Sequence, residues 1–134
     1  MYRKILLFSA ISGALMVAFG AMGAHTLRKQ FHLDESHMQV FETAVRYQAW
    51  HTLALLGLSI WLFLSPAKCG NWSGYLFMTG IVLFSGSLYL LALRPVMGIA
   101  DEDWKGIGII TPFGGVAFIS GWVSLFIYAL KLKK

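Results

Sequence analysis

Four apolar stretches, at about residues 5–27, 40–64, 75–93 and 108–130, take up nearly all of this 134-residue chain. Each is close to the roughly 20 mainly apolar residues that a helix needs to cross a bilayer core. In lipid a spanning segment must satisfy its own backbone N–H and C=O groups, and a helix does this within one segment. The expected fold is therefore all-α: an integral membrane bundle of four transmembrane helices, a single domain over residues 1–134. The short connections leave no length for a separate soluble catalytic domain.

Composition agrees. Hydrophobic residues make up 57% and charged residues 13% of the chain, whereas charged residues run near a quarter in soluble domains. The mean hydropathy is +0.67 and the pI about 9.6. The net charge of +5 does not point to nucleic acid, because the basic residues flank apolar spans, where they set topology and meet anionic headgroups. Cys69, the single cysteine, cannot form an internal disulfide and has no partner at metal-ligand spacing. Arg3-Lys4, the apolar run and Ala21-Met22-Gly23 together resemble a secretory signal. The run exceeds the usual signal core of roughly 7–15 residues, so it reads as a retained first span.

The charges are distributed one-sidedly. The carboxylates Asp34, Glu35, Glu42, Asp101, Glu102 and Asp103 and the histidines His25, His32, His37 and His51 belong to the side that carries the first and third connections. The other side has only Arg and Lys: Arg3, Lys4, Lys68, Lys131, Lys133 and Lys134, against Arg28, Lys29, Arg46, Arg94 and Lys105 on the acidic side. This small excess places both termini in the cytoplasm by the positive-inside rule, with the acidic face outward.

Several helix ends are readable. Ser36 with Gln39 makes a capping-box pattern at the start of the second helix, with Asp34 as a competing cap. Pro66 and Gly70 end that helix, and Arg94-Pro95 ends the third. Thr111 as N-cap and Pro112 at the first helical position open the fourth. The free N–H groups of that fourth helix start are a candidate anion holder. Small residues mark packing faces: Ser9, Gly13, Gly20 and Ala24 in the first helix, and Gly114, Ala117, Gly121 and Ser124 in the fourth. The five tryptophans are mostly expected to be interfacial anchors.

The densest polar constellation lies in the second helix. Glu42 and Arg46 are spaced for an i,i+4 ion pair, with Tyr47, Gln48 and His51 on another face. Ionisable groups at membrane depth point inward, pair, or face water. The plain reading is an interfacial ion pair with interhelical hydrogen bonds. The sharper one is a polar site for a headgroup, a small polar solute or a proton. Ser85, Ser87 and Tyr89 on the third helix, His25 at the end of the first and Thr111 complete the candidate set. Each hydroxyl has a bland alternative, a bond to its own helix backbone. A metal site from His32, Asp34, Glu35 and His37 with the acids at 101–103 matches no ligand pattern, and a solvated loop explains these residues better. No metal, cofactor or catalytic residue is therefore assigned, and no HExxH, GxSxG, P-loop or dinucleotide motif is present.

Gly20-Ala21-Met22-Gly23-Ala24-His25, the run from Phe41 to Gln48 with His51, Leu83-Phe84-Ser85-Gly86-Ser87-Leu88-Tyr89 and Ile110-Thr111-Pro112-Phe113-Gly114-Gly115 together resemble the YgdD-like family, domain of unknown function 423. The resemblance covers all four spans in order. It implies a small multi-pass protein of the bacterial inner membrane, with relatives in eukaryotes, and brings no activity, substrate or cofactor. The connection between Arg94 and Lys105 lies outside the matching motifs. The expectation is a non-enzymatic protein for binding, assembly or small-solute handling, with a polar site near the outer face of the bundle. Membrane lipids, a homo-oligomer or a partner membrane protein are the expected partners. The alternatives are an intramembrane enzyme acting on lipid, with Ser85 or Ser87 served by His25 or His51, and a proton-coupled transporter using Glu42 or His51.

Overall fold

A computed structural model describes residues 1–98 and 106–131. Every regular element among them is helical. Among the described residues four helices are long and apolar enough to cross a membrane: α1 (Tyr2–Leu27), α2 (Glu35–Leu64), α3 (Lys68–Leu93) and α4 (Ile107–Leu130). Wide π-type turns interrupt α1 at Gly23–Leu27 and α3 at Ile81–Ser85. α2 packs against both α1 and α3, while α4 packs chiefly on α3.

Helix termini follow local chemistry. Asp34 is the N-cap of α2 and accepts the His37 backbone N–H, while the Ser36 hydroxyl donates to the other carboxylate oxygen at 2.8 Å. The competing cap prevails over the capping box because Asp34 also meets the His37 ring. These bonds to Ser36 and His37 hold the Asp34 carboxyl below its ordinary value of 3.8.

Two expected boundaries are corrected. Gly70 does not end α2; it lies inside α3, which begins at Lys68, well before residue 75. The first turns of α3 are less apolar because Gly70, Ser73 and Gly74 are buried packing residues there. A Cβ on Gly70 would come within 2.7 Å of Leu62 and 3.0 Å of Tyr128. Thr111 and Pro112 do not open α4 either; the helix begins at Ile107 and Pro112 lies within it. A helical proline removes one hydrogen bond and presses on the residue four positions back. Here that residue is Gly108, and the helix nonetheless runs from Ile107 through Pro112 without a break.

Close approach through small residues locks α3 to α4. A Cβ on Gly114 would run into the Phe84 main chain, and one on Gly121 would come within 2.6 Å of the Phe77 ring. Between helices in lipid such contact replaces the hydrophobic drive that operates in water. The apolar core forms two clusters. One contains Ile5, Leu55, Leu58, Leu62, Phe77 and Phe118, toward the chain termini. The other contains Leu27, Met38, Phe41 and Ala92, toward the first connection.

Candidate functional site

The candidate polar residues of α2, Glu42, Arg46, Tyr47, Gln48 and His51, fall into three environments. Gln48 is buried, donating from Nε2 to the Ser12 carbonyl at 3.0 Å and to Ser12 Oγ at 3.2 Å, and accepting the Tyr89 hydroxyl at 2.6 Å. Ser12 and Thr52 share a hydroxyl–hydroxyl bond of 2.7 Å. This layer ties α1, α2 and α3 together, between the two apolar clusters. Phe19 and Phe41 flank the Tyr89 ring, with centroids 4.6 and 5.2 Å away. Each member has a partner, so the network needs no ligand to complete it.

His51 turns toward α4. Its ring stacks on Phe118 at 3.5 Å between centroids, beside Tyr47. Nδ1 lies 2.8 Å from the Tyr47 carbonyl, and Nε2 accepts Trp122 Nε1–H at 3.2 Å. A carbonyl can only accept and an indole N–H can only donate. The geometry therefore selects the neutral tautomer with its proton on Nδ1. Ser87 bonds Thr111 at 2.7 Å and the Phe84 carbonyl at 3.0 Å. Ser85 is buried, and its hydroxyl has no hydrogen-bond partner among the described residues. His25 is exposed on the π-type turn of α1.

The third environment is open. Gly20, Gly23, Ala24 and Arg28 of α1 face Phe41, Glu42, Val45 and Arg46 of α2 across a cleft of about 370 Å³. Gly23 closes its floor: a Cβ there would lie 3.0 Å from the Phe41 ring. Gly20 leaves it open, since a Cβ at that position meets nothing within 4 Å. The expected Glu42–Arg46 pair is not formed. Glu42 instead reaches Arg28 at 3.4 Å, and Arg28 is shared with Glu35 at 3.7 Å. The return of α2 alongside α1 brings the acid to Arg28, and no pattern within α2 reveals it. Among the described residues Arg46 has no ion-pair partner.

The candidate residues thus do not converge on one centre. Glu42 and Arg46 line the cleft, while Gln48 with Tyr89, His51 with Tyr47, and Ser87 with Thr111 are internal contacts. Sequence reasoning missed four participants: Ser12, Thr52, Arg28 and Trp122. Thr52 carried a signal, because it follows Gln48 by one turn on the same face. Trp122 lies well inside α4 rather than at an end, which distinguishes it from an interfacial anchor. Among the described residues no group of three or more His, Cys, Asp or Glu side chains could hold a metal; Asp101, Glu102 and Asp103 lie outside them.

Comparison with known proteins gives a consistent result. Residues 19–115 match the model of a family described as a protein of unknown function, DUF423. The inner membrane protein YgdD of Escherichia coli K12 is 42% identical over 98% of this chain and 93% of its own length. A UPF0382 membrane protein of Staphylococcus aureus is 38% identical over 96% of this chain and 97% of its own. No solved structure matches.

Proposed function

The chain belongs to the DUF423 family of membrane proteins, and we propose that it is a non-enzymatic membrane protein that binds the headgroup of a lipid in the cleft between α1 and α2. One observation carries this reading: the charged cleft opens where the apolar part of α2 begins. α2 has 30 residues and is about 45 Å long at about 1.5 Å per residue, well beyond a hydrocarbon core of about 30 Å. From Arg46 to Leu64 the helix covers about 28 Å on the same rise, so Arg46 marks the boundary between core and headgroups. Trp50, exposed one turn further in, suits an anchor at that level. The excess of lysine and arginine at the other face supports both termini in the cytoplasm and a cleft that opens toward the outer leaflet.

The alternative readings receive no comparable support. Neither Ser85 nor Ser87 is hydrogen-bonded to a histidine among the described residues, as a serine nucleophile requires. Both ring nitrogens of His51 are engaged, so using it as a proton carrier means breaking the Trp122 bond.

Gly20→Leu tests the proposal. It adds a side chain into open cleft space at a helical position where leucine is favoured over glycine. Protein purified in mild detergent and analysed by native mass spectrometry should lose its co-purifying lipid in the variant, with helical content and melting temperature maintained. Equal lipid retention in both proteins would overturn the reading.

A further inference from the structure

Resting on that reading, we infer that the cleft selects a zwitterionic lipid headgroup with a primary ammonium beside a phosphate, the phosphoethanolamine type. Charges of opposite sign are unevenly paired at this cleft. Arg28 is shared by two carboxylates, Glu42 at 3.4 Å and Glu35 at 3.7 Å. Glu42 lines the cleft and Glu35 stands outside its lining, so one guanidinium serves two acids and offsets the Glu42 charge only in part. Arg46 lies in the same cleft and has no carboxylate partner among the described residues. The excess positive charge is thus separated from the excess negative charge.

A purely anionic headgroup suits Arg46 and opposes Glu42. A phosphate with an attached ammonium satisfies both. Glu42 and Arg46 follow each other by one helical turn and face the same side. The two charges of phosphoethanolamine are joined by a single ethylene bridge, a comparable separation. The guanidinium offers paired donors to phosphate oxygens. A carboxylate accepts N–H bonds from a primary ammonium, which a trimethylated choline cannot donate. The small residues Gly20 and Ala24 leave room for the headgroup without moving the backbone. The depth of Arg46 at the edge of the apolar run specifies the lipid rather than a soluble phosphoamine.

The test compares binding of phosphatidylethanolamine, phosphatidylglycerol and phosphatidylcholine to delipidated full-length protein by native mass spectrometry. Wild type should prefer phosphatidylethanolamine. Arg46→Gln should weaken all three by about tenfold, the loss expected for a charge-assisted bond. Glu42→Gln should erase the preference for phosphatidylethanolamine over phosphatidylglycerol and spare phosphate binding. Gly20→Leu should abolish binding of every lipid, and circular dichroism checks the fold of each variant. Equal or tighter binding of phosphatidylglycerol, with Gly20→Leu still blocking it, overturns the headgroup assignment and leaves lipid binding standing. Lipid binding indifferent to Gly20→Leu overturns both. Competition by water-soluble glycerophosphoethanolamine at the strength of the lipid overturns the lipid as the source.

Discussion

The Tyr89 hydroxyl donates to Gln48 Oε1 at 2.6 Å, across the interface of α3 and α2, while Gln48 Nε2 reaches Ser12 on α1. One amide thereby holds three helices in register. Tyr89→Phe should destabilise the bundle by about 1 kcal/mol, because it leaves a buried acceptor unpaired. Unfolding by SDS titration measures the effect. In a double-mutant cycle, Gln48→Leu with Tyr89→Phe should cost less than the sum of the single changes. Strict additivity would show that the two side chains do not interact.

The α3–α4 contact should be the least tolerant of added volume. Gly114→Ala drives a methyl group into the Phe84 main chain, and overpacking of this kind costs about 1–3 kcal/mol. Gly57→Ala is the matched control, since a Cβ there meets nothing within 4 Å. Melting temperatures in detergent should fall for the first variant and hold or rise for the second.

His51 should show a single tautomer, with its proton on Nδ1. Nitrogen NMR of the labelled side chain distinguishes protonated from unprotonated ring nitrogens. In Trp122→Phe the Nε2 signal should shift through loss of its donor, while Nδ1, bonded to the Tyr47 carbonyl, should stay. A wild-type spectrum with the proton on Nε2 would contradict the arrangement.

Asp34 gives the α2 cap a pH dependence. Its carboxyl titrates below the ordinary value of 3.8 in the folded protein through its bonds to Ser36 and His37. A depressed folded value means that the contribution is complete above 3.8 and disappears as pH falls through the lower, folded value. Asp34→Ala should therefore melt below wild type at neutral pH, and the two curves should merge only once the pH has fallen through the lower, folded value. A gap that persists undiminished at that acidity would assign the effect to something other than carboxylate charge.

Much of the candidate site could be read from the chain, but its grouping could not. Glu42, Arg46, Gln48 and His51 stand out as polar residues within an apolar context. Their partners Arg28, Ser12, Tyr89 and Trp122 come from other helices. The i,i+4 spacing of Glu42 and Arg46 suggested a pair within α2, yet the acid bonds across to α1. The short connection between α1 and α2 swings Arg28 over Glu42, a consequence of two helix ends meeting. Pro112 misled for the opposite reason: a local rule about helix starts yields where the apolar residues on both sides of the proline stay helical.

The apolar run lengths and the scarcity of charge were sufficient to require four membrane helices. Lipid cannot bond a free backbone, and segments of this length satisfy themselves only by coiling. Tertiary structure decided how each helix is rotated about its axis and staggered against its neighbours. Lipid solvates every apolar face alike, so hydrophobic periodicity does not separate a packed face from an exposed one. Close approaches such as those of Gly114 to Phe84 and of Gly121 to Phe77, with the buried hydrogen bonds, select one rotation. That selection seals Gln48 and His51 inside and leaves Glu42 and Arg46 facing an open cleft.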